Sequence, residues 1–128
     1  MNRIALSLLV LALVGTLATA AFASRKPDAD EAVAITKAFK TTTKAGLNKL
    51  AKQFNVVGIR VSTVNPSYAR GNFVPKPKYR KVFQAGYGVA HYTKAKGWKA
   101  YAVGSSGVGC SHPTVPKAVR KDLKLNCP

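Results

Sequence analysis

Two cysteines near the carboxyl end, Cys110 and Cys127, most constrain what this chain can fold into. Two cysteines permit only one intramolecular disulfide, which would stabilise a small domain by about 3 kcal/mol in the chain-entropy model. The surrounding stretch, 97–128, also holds the only tryptophan. It runs from a strand-like segment through a glycine-rich turn to a short cationic helix, predicted from Pro116 to about Leu123. The sequence therefore predicts a C-terminal helix held by a disulfide.

The first residues have the composition of a secretory signal peptide. A positive charge at Arg3 precedes an apolar run from Ile4 to Leu17, and small residues ending at Ala23 form a cleavage pattern. The apolar run is short for a membrane span, which needs about 20 residues, and an uncleaved anchor is the alternative. We therefore predict a signal peptide at 1–23 and a secreted, extracytoplasmic protein. Disulfides persist in that compartment.

Positive charge is the strongest compositional signal. The chain has 21 lysines and arginines against four aspartates and glutamates, a formal net charge of +17. No carboxylate occurs between Ala32 and Lys121, so internal ion pairs cannot neutralise most of these cations. Such a protein attracts polyanions, which indicates an anionic partner. A solubilising surface is the alternative interpretation.

Hydrophobic periodicity predicts one α+β domain at 28–128, preceded by a mobile basic tail at 24–27. Asp28 and Glu31 have the spacing of a capping box, and the apolar stripe behind them predicts one long N-terminal helix to about Lys52. Alternatively, this basic amphipathic helix would lie on the surface of an anionic membrane. Four strand patterns follow, at 57–63, 68–74, 83–93 and 98–103. This order predicts that the helix packs on a curved four-stranded antiparallel sheet.

The cations of the domain predict a binding surface for an anionic polymer or an anionic membrane surface. Binding of this kind is electrostatic, so its affinity should fall steeply with salt. The cationic linker 75–81 is predicted to be a solvated loop between two hairpins, and stacking of its Tyr79 ring on a nucleic-acid base is the alternative. The residues predicted to form the surface are Lys37, Lys40, Lys44, Lys52, Arg60, Arg70, Lys76, Lys78, Arg80, Lys81, Lys94, Lys96 and Lys99.

Catalysis is not indicated by the residue pattern. The two cysteines and two scattered histidines are too few for a metal site, and the glycine-rich turn lacks the lysine of a phosphate-binding loop, so neither a metal nor a cofactor is predicted. His91 and His112, with Lys99 or Lys117 nearby, would suit the acid and base of a metal-free ribonuclease. His91, however, falls on the apolar face of its strand. We therefore predict a protein that is not an enzyme.

A ligand-binding sheet face is the other functional alternative. In it, Tyr87, His91 and Trp98 lie together on the concave face of the sheet and receive an apolar ligand or a peptide. The sequence identifies no protein partner, and a monomer is expected. Binding to this face would not depend on salt, which separates it from binding to a polyanion.

Three motifs resemble those of a group of small, exported, uncharacterised bacterial proteins. They are VSTVNPSYA at 61–69, GWKAYAVGSSGVGC at 97–110 and VPKAVRKDLKLNC at 115–127. The resemblance covers about the last two thirds of the mature chain and implies export and a disulfide, but no known activity. The order of one helix and four strands is also similar to folds of the cystatin and nuclear-transport-factor type.

Overall fold

The elements of the fold are those of a computed structural model that describes residues 24–128, so the predicted signal peptide at 1–23 lies outside the described residues. The four strands form one antiparallel sheet in which strands that follow one another in sequence lie side by side. This confirms the predicted α+β class and the four-stranded sheet. Short 3₁₀ segments occupy Lys44–Leu50 and Pro77–Tyr79. The elements are α1 Ala29–Thr41, β1 Phe54–Val61, β2 Tyr68–Pro75, β3 Gly86–Thr93, β4 Gly97–Gly104 and α2 Lys117–Asp122.

Helix α1 begins at the predicted capping box but ends earlier than predicted. The Asp28 side chain accepts a hydrogen bond from the Glu31 amide at 2.8 Å, and the Glu31 carboxylate accepts one from the Asp28 amide at 3.0 Å. The backbone then turns extended at Thr42, with φ −73° and ψ 141°. Ala45 and Gly46 follow in the left-handed region, with φ of 51° and 68°. The prediction of one helix to Lys52 is therefore wrong, because β-branched threonines and a glycine weaken the helix here.

The segment 24–27 is paired with β1. The amide of Arg25 donates to the Val61 carbonyl, and the Val61 amide donates to the Arg25 carbonyl, both at 2.8 Å. The Arg60 guanidinium donates to the Ser24 hydroxyl at 3.0 Å and also to the Ser24 carbonyl. These contacts pair the segment that was predicted as a mobile basic tail with β1. Backbone pairing and an ion pair with Glu31 attach it to the sheet and to α1.

The hydrogen-bonded Arg25 guanidinium holds the pKa of Glu31 well below its ordinary value of 4.5, at about 2. Because this pKa is lower in the folded state, the pair stabilises the fold above the unfolded-state pKa, and the contribution is lost as pH falls toward the folded value. Glutamine keeps the capping hydrogen bond but removes the charge. We expect Glu31→Gln to cost about 0.5–1 kcal/mol near pH 7, since the pair is partly exposed.

The measurement that checks this is urea unfolding of wild type and Glu31→Gln at about pH 7 and about pH 3, where the difference in stability between the two proteins should be smaller at the lower pH. A difference in stability that did not shrink on acidification would contradict the assignment of the ion pair as its cause.

Helix α1 packs on one face of the sheet through a cluster of aromatic side chains. Phe39 lies edge-on to Phe73, with ring centroids 5.0 Å apart. The Phe39 ring rests directly on two glycines of β2 and β3. A Cβ atom on Gly71 would lie 2.9 Å from this ring, and one on Gly88 would lie 2.6 Å from it. The absence of side chains at these two positions is therefore what lets the helix approach the sheet. The cluster also includes Ile35, Phe54, Phe83, Val61 and Ala90.

The C-terminal unit, 105–128, covers the opposite face of the sheet. The disulfide between Cys110 and Cys127 closes this unit, as predicted. Helix α2 lies within the loop that the disulfide closes, so the disulfide holds this short helix against the sheet. Each face of the sheet therefore has its own hydrophobic core. The buried side chains of this second core are Tyr68, Val89, Ala102, Val108, Val115, Val119, Leu123 and Leu125.

A buried carboxylate joins α2 to the turn between β1 and β2. One oxygen of Asp122 accepts hydrogen bonds from the Ser62 hydroxyl at 2.7 Å, the Thr63 amide at 2.8 Å and the Val64 amide at 3.4 Å. This contact connects two of the three sequence motifs, 61–69 and 115–127. The polar residues at the centre of those motifs therefore act in folding, because their hydrogen bonds are made within the domain.

Candidate anion-binding site

The carboxylates of the described residues are mostly engaged within the fold. Asp28 and Glu31 cap α1, and Asp122 is buried. Within residues 24–128 the structure contains one ion pair, between Arg25 and Glu31. Most lysines and arginines on the surface therefore have no acidic neighbour in the domain. Solvent ions or an external anion must balance their charge.

Three of the predicted surface cations are used inside the fold: Lys40, Arg60 and Arg70. The Lys40 ammonium donates to the carbonyls of Ala51, at 2.6 Å, and Phe54, and it lies 4.4 Å from the centroid of the Phe54 ring. Burial lowers the pKa of Lys40, and a neighbouring lysine adds to the effect. Lys40 therefore fixes the start of β1 and is not available to an external ligand.

Arg70 holds the end of α2. Its guanidinium donates to the carbonyls of Leu123, at 3.3 Å, and Lys124, at 2.7 Å. It also lies 4.4 Å from the centroid of the Tyr87 ring. Cations commonly satisfy the free carbonyls at the end of a helix in this way. Arg70, like Arg60 on Ser24, therefore acts in packing.

The other predicted cations do not form a single face. The start of β1, the end of β2 and the start of β3 lie at one end of the antiparallel sheet, and the β3–β4 turn lies at the other. The strands are eight residues long, so these ends are about 25 Å apart. Lys94, Lys96 and Lys99 belong to the turn end. Lys37 lies exposed on α1, and Lys44 lies at the start of the first 3₁₀ segment.

A denser group of cations, which we term the cationic end, surrounds the paired ends of β1 and β2. Five of its members are exposed and Lys76 is half-buried. The group is held in place by a hydrogen bond of 2.8 Å from the Lys76 amide to the Gln53 carbonyl and by the 3₁₀ turn at Pro77–Tyr79. The prediction omitted Lys49, which lies in the 3₁₀ segment before β1. The cationic end comprises Lys49, Lys52, Lys76, Lys78, Arg80 and Lys81.

Tyr79 packs inward at the cationic end. Its ring is half-buried against the first core, with the Lys78 ammonium 5.7 Å from its centroid. Its carbonyl accepts hydrogen bonds from the amides of Val82, at 3.0 Å, and Phe83, at 2.9 Å. These contacts indicate a packing role for the ring, which was not among the interpretations of this linker from sequence.

The aromatic residues of the predicted ligand face lie on opposite sides of the sheet. Trp98 contacts Tyr92, with ring centroids 5.6 Å apart, and packs against the first core. Tyr87 packs against the second core. His91 stacks on Tyr68, with centroids 4.4 Å apart, on the side of the C-terminal unit. The prediction of one concave face with all three residues is therefore wrong, because both faces are covered and neighbouring positions alternate between them.

The two histidines have separate surroundings. His91 lies between Tyr68 and Tyr101, whereas His112 is exposed in the loop after Cys110. Within the described residues, no hydrogen bond or ring contact joins the two imidazoles. No group of three or more histidine, cysteine, aspartate or glutamate side chains in residues 24–128 is placed to hold a metal ion. In the same part of the chain, none of the helices has the length and apolar character of a membrane span.

Comparison with known proteins found no matching family model, curated protein or solved structure. Function is therefore inferred from the residues of this chain alone.

Proposed function

We propose that this protein is a non-catalytic, extracytoplasmic module that binds anionic polymers or anionic membrane surfaces through its cationic end. The observation that supports the proposal is the gathering of six cations around the paired ends of β1 and β2, without an ion pair to any carboxylate of the described residues. Charges placed this close together raise the local concentration of a polyanion.

The cationic end suits a ligand with repeated negative charges. Its cations come from two neighbouring segments, the residues before β1 and the 3₁₀ turn after β2, which a backbone hydrogen bond from Lys76 to Gln53 joins. Each phosphate that such a cation neutralises releases condensed counterions. With six contacts, binding to duplex DNA should weaken about 10³-fold between about 50 and 200 mM salt.

A matched pair of charge variants tests the proposal. The first replaces Lys78, Arg80 and Lys81 by glutamine, and the control replaces Lys94, Lys96 and Lys99 by glutamine at the opposite end of the sheet. Both remove three positive charges from exposed positions. We expect the first variant to bind a fluorescent single-stranded oligonucleotide more than about 10-fold more weakly, with the slope of log affinity against log salt reduced by about 2.

The control variant should keep most of the affinity and most of the salt dependence, and the oligonucleotide should be recovered intact. Equal losses in the two variants would contradict binding at the cationic end and would indicate attraction to the charge of the whole molecule. Absence of binding by wild type at low salt would overturn the proposed function.

A further inference from the structure

Two cavities adjoin at the edge of the sheet formed by β4, and Ala45 and Val103 line both. The first, which we term the apolar pocket, has a volume of about 290 Å³. The second, which we term the polar cavity, has a volume of about 340 Å³. Pockets for small ligands begin at about this size. None of the six residues of the cationic end lines either cavity, so they constitute a separate candidate site.

The apolar pocket lies between the first 3₁₀ segment and the loop that leads into β3. Leu47, Leu50 and Phe83 form much of its wall, and Val82 lies beside it with 74% of its surface exposed. Burying exposed hydrocarbon against other apolar surface is favourable. A hydrocarbon chain in the pocket would remove this surface from water.

The polar cavity has the lining of an anion site. Lys44 lines this cavity and is exposed, and within residues 24–128 its ammonium group has no hydrogen bond and no ion pair. Three polar residues of the loop after β4, Ser106, Ser111 and His112, also line it. No aspartate or glutamate lines the cavity. A cation with nearby hydroxyl donors and no carboxylate favours a negatively charged ligand group.

The backbone at the two cavities supports a ligand-binding role. Ala45 and His112 have φ of 51° and 48°, and they are two of the three non-glycine residues in the described chain with left-handed backbone. This conformation is disfavoured for most residues with a Cβ atom, and residues that adopt it cluster at ligand and active sites. Both residues lie in the wall of the polar cavity, on its two sides.

We propose that the joined cavities bind one single-chain anionic amphiphile, an alkyl chain that ends in a phosphate or carboxylate group. The chain occupies the apolar pocket, and the head group lies in the polar cavity beside the Lys44 ammonium and the hydroxyls of Ser106 and Ser111. Because Ala45 and Val103 line both cavities, one molecule can reach both. This site goes beyond the proposed function, since it recognises a single molecule and uses none of the cations that would bind a polymer.

Calorimetric titration of the oxidised protein with decyl phosphate, below its micelle concentration, tests the proposal. Decanol and inorganic phosphate are the matched probes for the chain alone and the head group alone. We expect one saturable site for decyl phosphate, with affinity at least about 10-fold higher than for either part, because chain and head group contribute together. Decanoate should also bind. If decanoate did not bind, the head group would be restricted to phosphate, and the part of the proposal that includes carboxylates would be wrong.

Three variants locate the site. Lys44→Gln should weaken decyl phosphate binding about 10-fold and leave decanol binding unchanged. Val82→Asp, at an exposed position, should weaken both. Lys52→Gln removes the same charge outside the cavities and should change neither. Equal effects of Lys44→Gln and Lys52→Gln, or binding of several molecules without saturation, would overturn the site.

The same variants separate this site from the cationic end. Lys44→Gln should keep most of its affinity for the oligonucleotide, and the variant at Lys78, Arg80 and Lys81 should keep its affinity for decyl phosphate. Loss of decyl phosphate binding in the latter variant would contradict a site confined to the two cavities.

Discussion

Phe39→Ala is expected to lower the free energy of unfolding by about 3–5 kcal/mol, the largest effect of any single substitution proposed for this protein. The Phe39 side chain is fully buried and lies against Phe73. The floor beneath its ring consists of Gly71 and Gly88. Because the two glycines have no side chains that can move into the vacated space, the cavity left by alanine cannot collapse. The cost should therefore fall in the upper part of the usual range for such substitutions.

Urea unfolding of Phe39→Ala measures this effect, with Val33→Ala as the control on the same helix. Val33 is 70% exposed, so its truncation should change stability by less than about 0.5 kcal/mol. Both variants should retain the wild-type dependence of the unfolding free energy on urea concentration. A loss below about 1 kcal/mol for Phe39→Ala would contradict the account of α1 packing through this ring.

Two strands of the sheet, β2 and β4, were predictable from sequence because their alternation is regular and turn residues flank them on both sides. β2 ends one residue later than predicted, and β4 begins one residue earlier and ends one residue later. β3 begins at Gly86, three residues later than predicted. β1 begins three residues earlier than predicted, and its alternation is interrupted. Gly58 adopts φ of 60°, and the register with β2 shifts between Val57 and Arg60. This bulge leaves Val57, which the alternation assigned to the apolar face, 43% exposed.

The length of α1 could not be predicted from apolar spacing. Leu47, Leu50 and Phe54 pack against the same core as the helix, as their spacing suggested. They reach it from a 3₁₀ segment and a strand, after the backbone has left the helix at Thr42. Hydrophobic periodicity indicates which side chains face the core, but it does not indicate whether a helix, a 3₁₀ segment or a strand places them there. The positive φ of Ala45, a residue with high helix propensity, has no signal in the sequence.

The positive charge of the candidate site was visible in the composition, and its distribution was not. The lysines at 40 and 78 have the same side chain, yet Lys40 donates to the carbonyls that precede and begin β1, whereas Lys78 is exposed. Contacts between segments distant in sequence decide this difference. The same holds for Lys44, which reaches the wall of a cavity built largely from the loop at 106–113. Tertiary structure therefore separates cations that stabilise the fold from cations that are free to bind.

Asp122→Ala is expected to cost about 3 kcal/mol of unfolding free energy without changing the ligand-binding surface. The carboxylate is buried and accepts hydrogen bonds from the Ser62 hydroxyl and from the amides of Thr63 and Val64. Alanine removes the acceptor that these three hydrogen bonds share. Ser62 is fully buried, so its hydroxyl loses this partner where water cannot replace it, and such a loss costs more than the hydrogen bond itself contributes. Asp122→Asn keeps an acceptor oxygen, so it should cost less.

The control for this variant is Asp30→Ala, which makes the same change in charge at an exposed position in the first turn of α1. Its cost should stay below about 1 kcal/mol, the usual contribution of a charge near a helix end. At a temperature where both variants are folded, we expect equal affinities for the oligonucleotide, since each adds one unit of net positive charge. Unchanged stability of Asp122→Ala together with lost binding would assign this carboxylate to a ligand site. If Asp122→Ala loses stability but still binds the oligonucleotide, the contact between the motifs at 61–69 and 115–127 serves to hold α2 on the sheet. Ligand binding then belongs to surfaces outside that contact.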